Sequence, residues 1–252
     1  MRHRPMTTLA PTGGDRDAPT VPTGAGGRLI GFWPTIGWAG VASAAAMLFI
    51  FVLLSSYEYI FGSLPSHTRI VEDLTPCAYI VFVIVLIEKV RHAGWSAQDY
   101  FALVIPTWPQ VVLAIAAGIA FPFIDSIVGM LDPSPPDVHD YIDYTKADAE
   151  GLAPLFWLNS VVIGVVAEEM LFRGFFYRGW SQTRLNPSGA IVLTAILFGL
   201  LHFQYGWFGM TSVAISGLLL GWLRWWSGSL VAPILAHAAN NVIVTIIVAL
   251  AD

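Results

Sequence analysis

Seven apolar windows run through this 252-residue chain, at residues 29–54, 74–88, 108–131, 152–180, 189–204, 208–226 and 229–250. Under the rule of roughly 20 apolar residues per bilayer crossing, they give seven candidate spans and admit an eighth. With 56% hydrophobic and 12% charged residues, the chain lies far from the roughly 25% charged content of soluble domains. The predicted fold class is therefore all-α, a polytopic transmembrane helical bundle of about seven to eight spans. Window 74–88 has the shortest apolar core, and the amphipathic stretch from Trp95 to Ile105 reads as an interfacial helix or as part of another span. The linkers are short, so residues 29–252 form one transmembrane domain. Residues 1–28 are rich in Pro, Gly, Thr and charge, which predicts a disordered cytoplasmic tail. The first window is much longer than a signal-peptide core and reads as a retained helix.

The net charge of −5 says less than the placement of the charges. With a cytoplasmic N-terminus, the inner segments hold Arg2, Arg4, Arg16, Arg28, Lys89, Arg91, Arg178, Arg184 and Arg224, and only Arg69 and Lys146 lie outside. The positive-inside rule selects that orientation for a multi-pass protein of the cell membrane. The acidic segment 132–150, with Asp132, Asp137, Asp140, Asp143, Asp148 and Glu150 against Lys146, then lands outside. The single cysteine, Cys77, rules out an intrachain disulfide or a multi-cysteine metal cluster and reads as a small apolar core residue. With no Gly-rich phosphate loop and no basic stripe, nucleotide and nucleic-acid binding have no support.

Against this background, polar groups inside the windows stand out, because a charge in the bilayer is costly and marks function. Three late windows carry them: Glu168-Glu169-Met-Leu-Phe-Arg173, then Phe198-Gly-Leu-Leu-His202, then His237-Ala-Ala-Asn240-Asn241. If Asn186-Pro187 ends one helix and starts the next, Glu168 lies 18 residues before the turn and His202 lies 16 after it. At about 1.5 Å per residue the two share a depth of about 25 Å. Glu169 and Arg173, four apart, share a helix face, and Glu168 is rotated from it by about 100°. The economical assignment pairs Arg173 with Glu169 and leaves Glu168 as general base toward water, although the two glutamates could exchange roles. His202 would help to position or activate that water, with Phe198 packed one turn away. His237 and Asn241 would offer two donors to an oxyanion, with Asn240 as the fallback. One mismatch remains: from a turn at Ser227-Gly228, His237 is only about 14 Å up its helix. The two preceding helices, 152–180 and 189–204, must then extend beyond the bilayer on the cytoplasmic side.

These three motifs, together with Gly228-Ser-Leu-Val-Ala-Pro-Ile-Leu-Ala-His237, resemble those of the CPBP family, the CAAX prenyl protease and bacteriocin-processing proteins also called ABI. The resemblance covers about 152–245, which it marks as the catalytic core. It implies an intramembrane glutamate protease without a required metal or other cofactor, in which Glu168 and His202 activate water and His237 and Asn241 form the oxyanion hole. Glu169 and Arg173 then support the site. The implied partners are a peptide or membrane-protein substrate and membrane lipid.

Other readings bear on the same residues. A Glu/Arg pair can be buried helix glue, and Glu168, His202 and His237 could ligate zinc, although the His-Glu-x-x-His spacing of such sites is missing. A non-proteolytic scaffold or bacteriocin-immunity-type protein would use the same fold to bind a membrane partner, and a proton-coupled transporter would use the carboxylates and histidines as a relay. Asp125, beside Pro122, reads as an interfacial or capping residue, with a second functional carboxylate or a proton path as the other possibility. Gly217 and Gly221 read as a close-packing stripe, and His3, His67, His92 and His139 belong to no constellation.

Overall fold

The computed structural model describes residues 27–131 and 139–251, and these form helices with no strand among them. The tail expected over residues 1–28 falls almost wholly outside the described residues, as do Asp132 and Asp137 of the acidic segment. The helices are α1 (Phe32–Phe61), α2 (His67–His92), α3 (Ala97–Phe101), α4 (Trp108–Gly129), α5 (His139–Ala149), α6 (Ala153–Ser181), α7 (Asn186–Leu201), α8 (Gly206–Ser227) and α9 (Val231–Ala251).

Six of these, α1, α2, α4, α6, α8 and α9, are long and apolar enough to cross a membrane. Among the described residues the expected count of seven to eight is not reached: six helices qualify, and Asn186–Leu201 is a shorter apolar helix. The window at 189–204 becomes α7, only 16 residues long. Hydropathy continues past its end, but the backbone does not. His202 leaves the helical region at φ −98°, ψ 35°, and its Nδ1 lies 2.7 Å from the Phe198 carbonyl oxygen. Window 74–88, conversely, is the core of the 26-residue α2, which begins at a Ser66 cap accepting from Arg69 N–H. The 95–105 stretch supplies no eighth span. It forms the five-residue α3, whose Tyr100 and Phe101 are fully buried against α6. The buried Tyr100 hydroxyl has its pKa pushed up, because burial disfavours the phenolate.

Packing follows from small residues and end ties. α8 lies against α7 and α4, α9 against α4, and α1 against α2. Gly217 and Gly221 of α8 face Ala195 and Ile191 of α7, so the expected close-packing stripe forms. Trp180, fully buried, stacks on Phe176 at 4.6 Å and donates its indole N–H to Thr35 Oγ1 at 2.7 Å, which docks α1 on α6. One end of the bundle is fixed at the α8–α9 turn. There Leu230 N–H donates to Ala102 O at 2.9 Å, Ser229 Oγ donates to Val104 O, and Gln110 Nε2 donates to Ser227 O at 3.4 Å. The remaining surface of the long helices carries exposed Met47, Phe51, Phe123, Ile127 and Ile247, as expected for a lipid-facing wall.

Two arginines assigned to the inner segments by the charge pattern, Arg178 and Arg224, are buried, each 4% exposed. The Arg178 guanidinium lies over the Trp95 ring at 5.1 Å, and that of Arg224 lies over the Tyr177 ring at 5.3 Å. Cys77 is only half-buried, with its thiol toward the Asp73 carbonyl.

α4 and α9 approach each other closely at Gly118 and Ala236, next to His237 in the chain. A side chain on Gly118 of α4 would come within 2.1 Å of the Ala236 carbonyl and 2.9 Å of Ala239 Cβ on α9. Gly118→Val should therefore cost about 1–3 kcal/mol by overpacking, read as a lowered thermal midpoint in detergent. Gly40→Val, where nothing lies within 4 Å, should leave the midpoint unchanged. Equal midpoints for the two variants would show that α4 and α9 do not meet here.

Candidate active site

The 29-residue α6 is not uniformly α-helical. Asn159–Ile163 and Met170–Phe176 are π-helical, and Gly164 N–H donates to Asn159 O, five residues back. A side chain on Gly164 would lie 2.9 Å from that oxygen, so glycine fits the widened turn. Such turns add a residue to the helix circumference and recur at functional sites. Here one precedes and one follows Glu168 and Glu169.

Glu169 and Arg173 are both fully buried, and the pair expected from their spacing forms, with Arg173 Nη1 2.9 Å from Glu169 Oε1. Arg173 also donates through Nη2 to Gly217 O of α8 at 3.1 Å, and its guanidinium lies 4.4 Å from the Phe198 ring centre on α7. Its own carbonyl accepts from Arg224 Nε at 3.1 Å. The same Glu169 oxygen lies 3.0 Å from His237 Nδ1. This contact between α6 and α9 was not legible in the sequence, where Glu169 reads as the partner of Arg173 alone. A carboxylate only accepts, so the hydrogen on His237 Nδ1 is directed at Glu169 and the Nε2 edge is left facing Glu168, whose Oε2 is 3.9 Å away.

Glu168 is turned away from the ion pair, with 27% of its side chain accessible. It lines a cavity of about 700 Å³ together with His202, His237, Asn240 and Asn241. His202 is half-buried. Its Nδ1 faces the Phe198 carbonyl, which can only accept, so Nδ1 carries the hydrogen and Nε2 presents a lone pair. The Phe198 ring meets the His202 ring edge-on at 4.7 Å and the His237 ring at 5.8 Å. Phe198 thus packs against both histidines, whereas the sequence paired it with His202 alone.

The asparagines are partly committed. Asn241 Nδ2 donates to Ser160 O at 2.7 Å, in the first π-helical turn, and Asn240 Nδ2 donates to Asn241 Oδ1 at 3.0 Å. One amide hydrogen of Asn241 is therefore spent on α6 and one remains. The Asn240 amide supports Asn241, and its own oxygen is buried without a partner among the described residues. Tyr79 and Tyr205 also line the cavity, with Tyr205 stacked on His202 at 5.9 Å. They carry no motif, and only the fold brings them here.

The expected similar depth of Glu168 and His202 is consistent with their sharing this cavity, and the mismatch calculated for His237 does not keep it away from Glu169. Asp125 does not cap its own helix. Its carboxylate accepts a hydrogen bond from Ser212 of α8 and lines the same cavity. Among the described residues no three His, Cys, Asp or Glu are grouped so as to hold a metal ion.

Removing Arg173 would leave Glu169 buried without its counter-charge. Arg173→Met should cost about 3–5 kcal/mol, and Arg173→Met with Glu169→Leu should recover most of it, because an apolar pair has no charge to desolvate. Thermal midpoints in detergent check this, and a single variant as stable as the parent would contradict the pairing.

No curated protein and no solved structure matches the chain. Residues 150–243, the segment that carries Glu168, Glu169, Arg173, His202, His237, Asn240 and Asn241, match the family model described as "Type II CAAX prenyl endopeptidase Rce1-like", in agreement with the CPBP resemblance of the motifs.

Proposed function

We propose that the protein is an intramembrane endopeptidase that hydrolyses a peptide bond in a membrane-associated or lipidated peptide or protein. The observation that carries this reading is the opening of Glu168, His202, His237 and Asn241, from three separate spans or near-spans, onto one cavity. The family match over 150–243 supports the same reaction class.

In the proposed mechanism, one water donates its two hydrogens to the Glu168 carboxylate and to the free Nε2 of His202. Its oxygen attacks the scissile carbonyl carbon, and its proton passes to Glu168. The oxyanion that forms is held by the remaining amide hydrogen of Asn241 and by Nε2–H of His237. Because His237 Nδ1 is directed at Glu169, donation from Nε2 requires the doubly protonated ring, whose two N–H groups then face the two glutamates. The tetrahedral intermediate collapses by breaking the C–N bond, and the proton held by Glu168 goes to the leaving amine. The Glu169–Arg173 pair takes no part in proton transfer and fixes the angle of His237. This chemistry uses side chains alone, with no metal. We place the protein in the cell membrane with its N-terminus cytoplasmic, on Arg28 and Arg184 of the loops and Lys89 and Arg91 in the last turn of α2.

The test compares membrane peptidomes of cells carrying the parent, no protein, or Glu168→Gln at matched expression. Peptides absent from both the null and Glu168→Gln identify the substrate. With that substrate in liposomes, Glu168→Gln and His202→Ala should each lower turnover by about 10²–10⁴-fold, and His237→Ala or Asn241→Ala by about 10²–10³-fold. A chelator should leave the rate unchanged. A Glu168→Gln strain with the parental phenotype and peptidome would overturn proteolysis in favour of a scaffold.

A further inference from the structure

The cavity continues past the proposed catalytic groups to a second carboxylate that the mechanism does not use. Phe121, Asp125 and Val128 of α4 line it at positions i, i+4 and i+7, one helix face. Asp125 is exposed rather than buried. Its one hydrogen-bond donor among the described residues is the Ser212 hydroxyl, and no Lys or Arg lines the cavity. The buried Arg173 is already committed to Glu169 and to Gly217 O. Asp125 is therefore a carboxylate in the wall of an apolar bundle, facing the cavity, without a counter-charge among the described residues.

Its distance from the chemistry follows from the helices. Gln110 of α4 is tied to Ser227 of α8, and Asp125 and Ser212 are each 15 residues from that tie, about 22 Å along their axes. The bond between Asp125 and Ser212 agrees with this equal height. His237 lies nine residues beyond Gly228, about 14 Å from the same end. Asp125 is thus displaced from His237 by about 8 Å along the bundle, which an extended peptide covers in two to three residues.

We infer that Asp125, held by Ser212, is a specificity-determining residue that receives a basic side chain of the substrate, a Lys or Arg two to three residues from the scissile bond. The inference rests on the proteolytic reading for the word substrate and on the cavity alone for the cation. A basic group supplies the opposite charge that the cavity lacks. An acidic residue at the same place would meet a like charge, so the subsite also rejects.

The experiment uses the full-length protein in nanodiscs and internally quenched 12-residue Ala/Leu-rich peptides, with either Lys or its uncharged isostere norleucine at each position in turn. For the parent, kcat/KM should favour Lys over norleucine by about tenfold at positions two to three residues from the cut. Asp125→Asn should bring that ratio to near unity, Asp125→Glu should retain it, and Asp125→Lys should favour Glu at those positions. A ratio within one preparation does not depend on how much of a variant is folded. Cleavage by the parent with no such preference overturns the inference and leaves proteolysis standing. Binding of the same peptides to Glu168→Gln is measured in parallel. A Lys preference in binding that Asp125→Asn removes, with no cleavage by the parent, supports the cation subsite while the proteolytic reading fails. Absence of preference in both cleavage and binding overturns the subsite.

Discussion

The structure depends on the charge pair between Glu169 and Arg173, two fully buried ions in a bundle built almost wholly of apolar side chains. Moving either from water into such an interior costs several kcal/mol unless its hydrogen-bonding capacity is met. Arg173 meets that demand across helices. It reaches Glu169 on its own helix, the Gly217 carbonyl of α8 and the Phe198 ring of α7, while Arg224 of α8 binds its carbonyl. Glu169 in turn meets His237 of α9. Four helices thus converge on one pair, which fixes the histidine that the mechanism places at the oxyanion. The neighbouring residue Glu168, about 100° round the helix, is left to the cavity.

Much of this was legible in the chain because it rests on short-range rules. The four-residue spacing of Glu169 and Arg173 predicted their contact, and counting rises from the Asn186-Pro187 turn gave Glu168 and His202 a similar depth. The all-helical membrane fold follows from the apolar windows. What failed to show depends on backbone events that hydropathy does not record. The window at 189–204 gave no warning that α7 stops at Leu201, because the following Phe203 is as apolar as the residues before it. The terminator is a bond between the His202 ring and the Phe198 carbonyl, which no hydropathy average detects. Burial of Arg178 and Arg224 was hidden for a related reason. Arginine near a helix end resembles a loop cation until Trp95 and Tyr177 are folded against it.

The π-helical turns of α6 are the other illegible feature, and they bear on the asparagines as much as on the glutamates. Ser160, in the first of them, carries the carbonyl that receives Asn241. A regular helix would place that carbonyl about 100° away for each residue of register lost. The sequence offered His237 and Asn241 as a donor pair, but the anchoring of Asn241 comes from the opposite helix. Gly217 has a similar double use. It was readable as a small residue for close packing, and its carbonyl is also a ligand of the Arg173 guanidinium.

The brevity of α7 has a further consequence for how reactants arrive. Sixteen residues rise about 24 Å, against a hydrocarbon layer about 30 Å thick. The chain after Leu201 therefore turns about 6 Å short of that thickness, and α8 starts from this turn at Gly206, with His202 half-buried on the cavity wall between them. On the hydrolytic reading, water would reach the cavity by this turn, and a lipid-borne peptide would enter between the long helices. The two reactants would then come by perpendicular routes, solvent down the bundle axis and peptide along the membrane plane, and meet only at the histidine that ends the short helix.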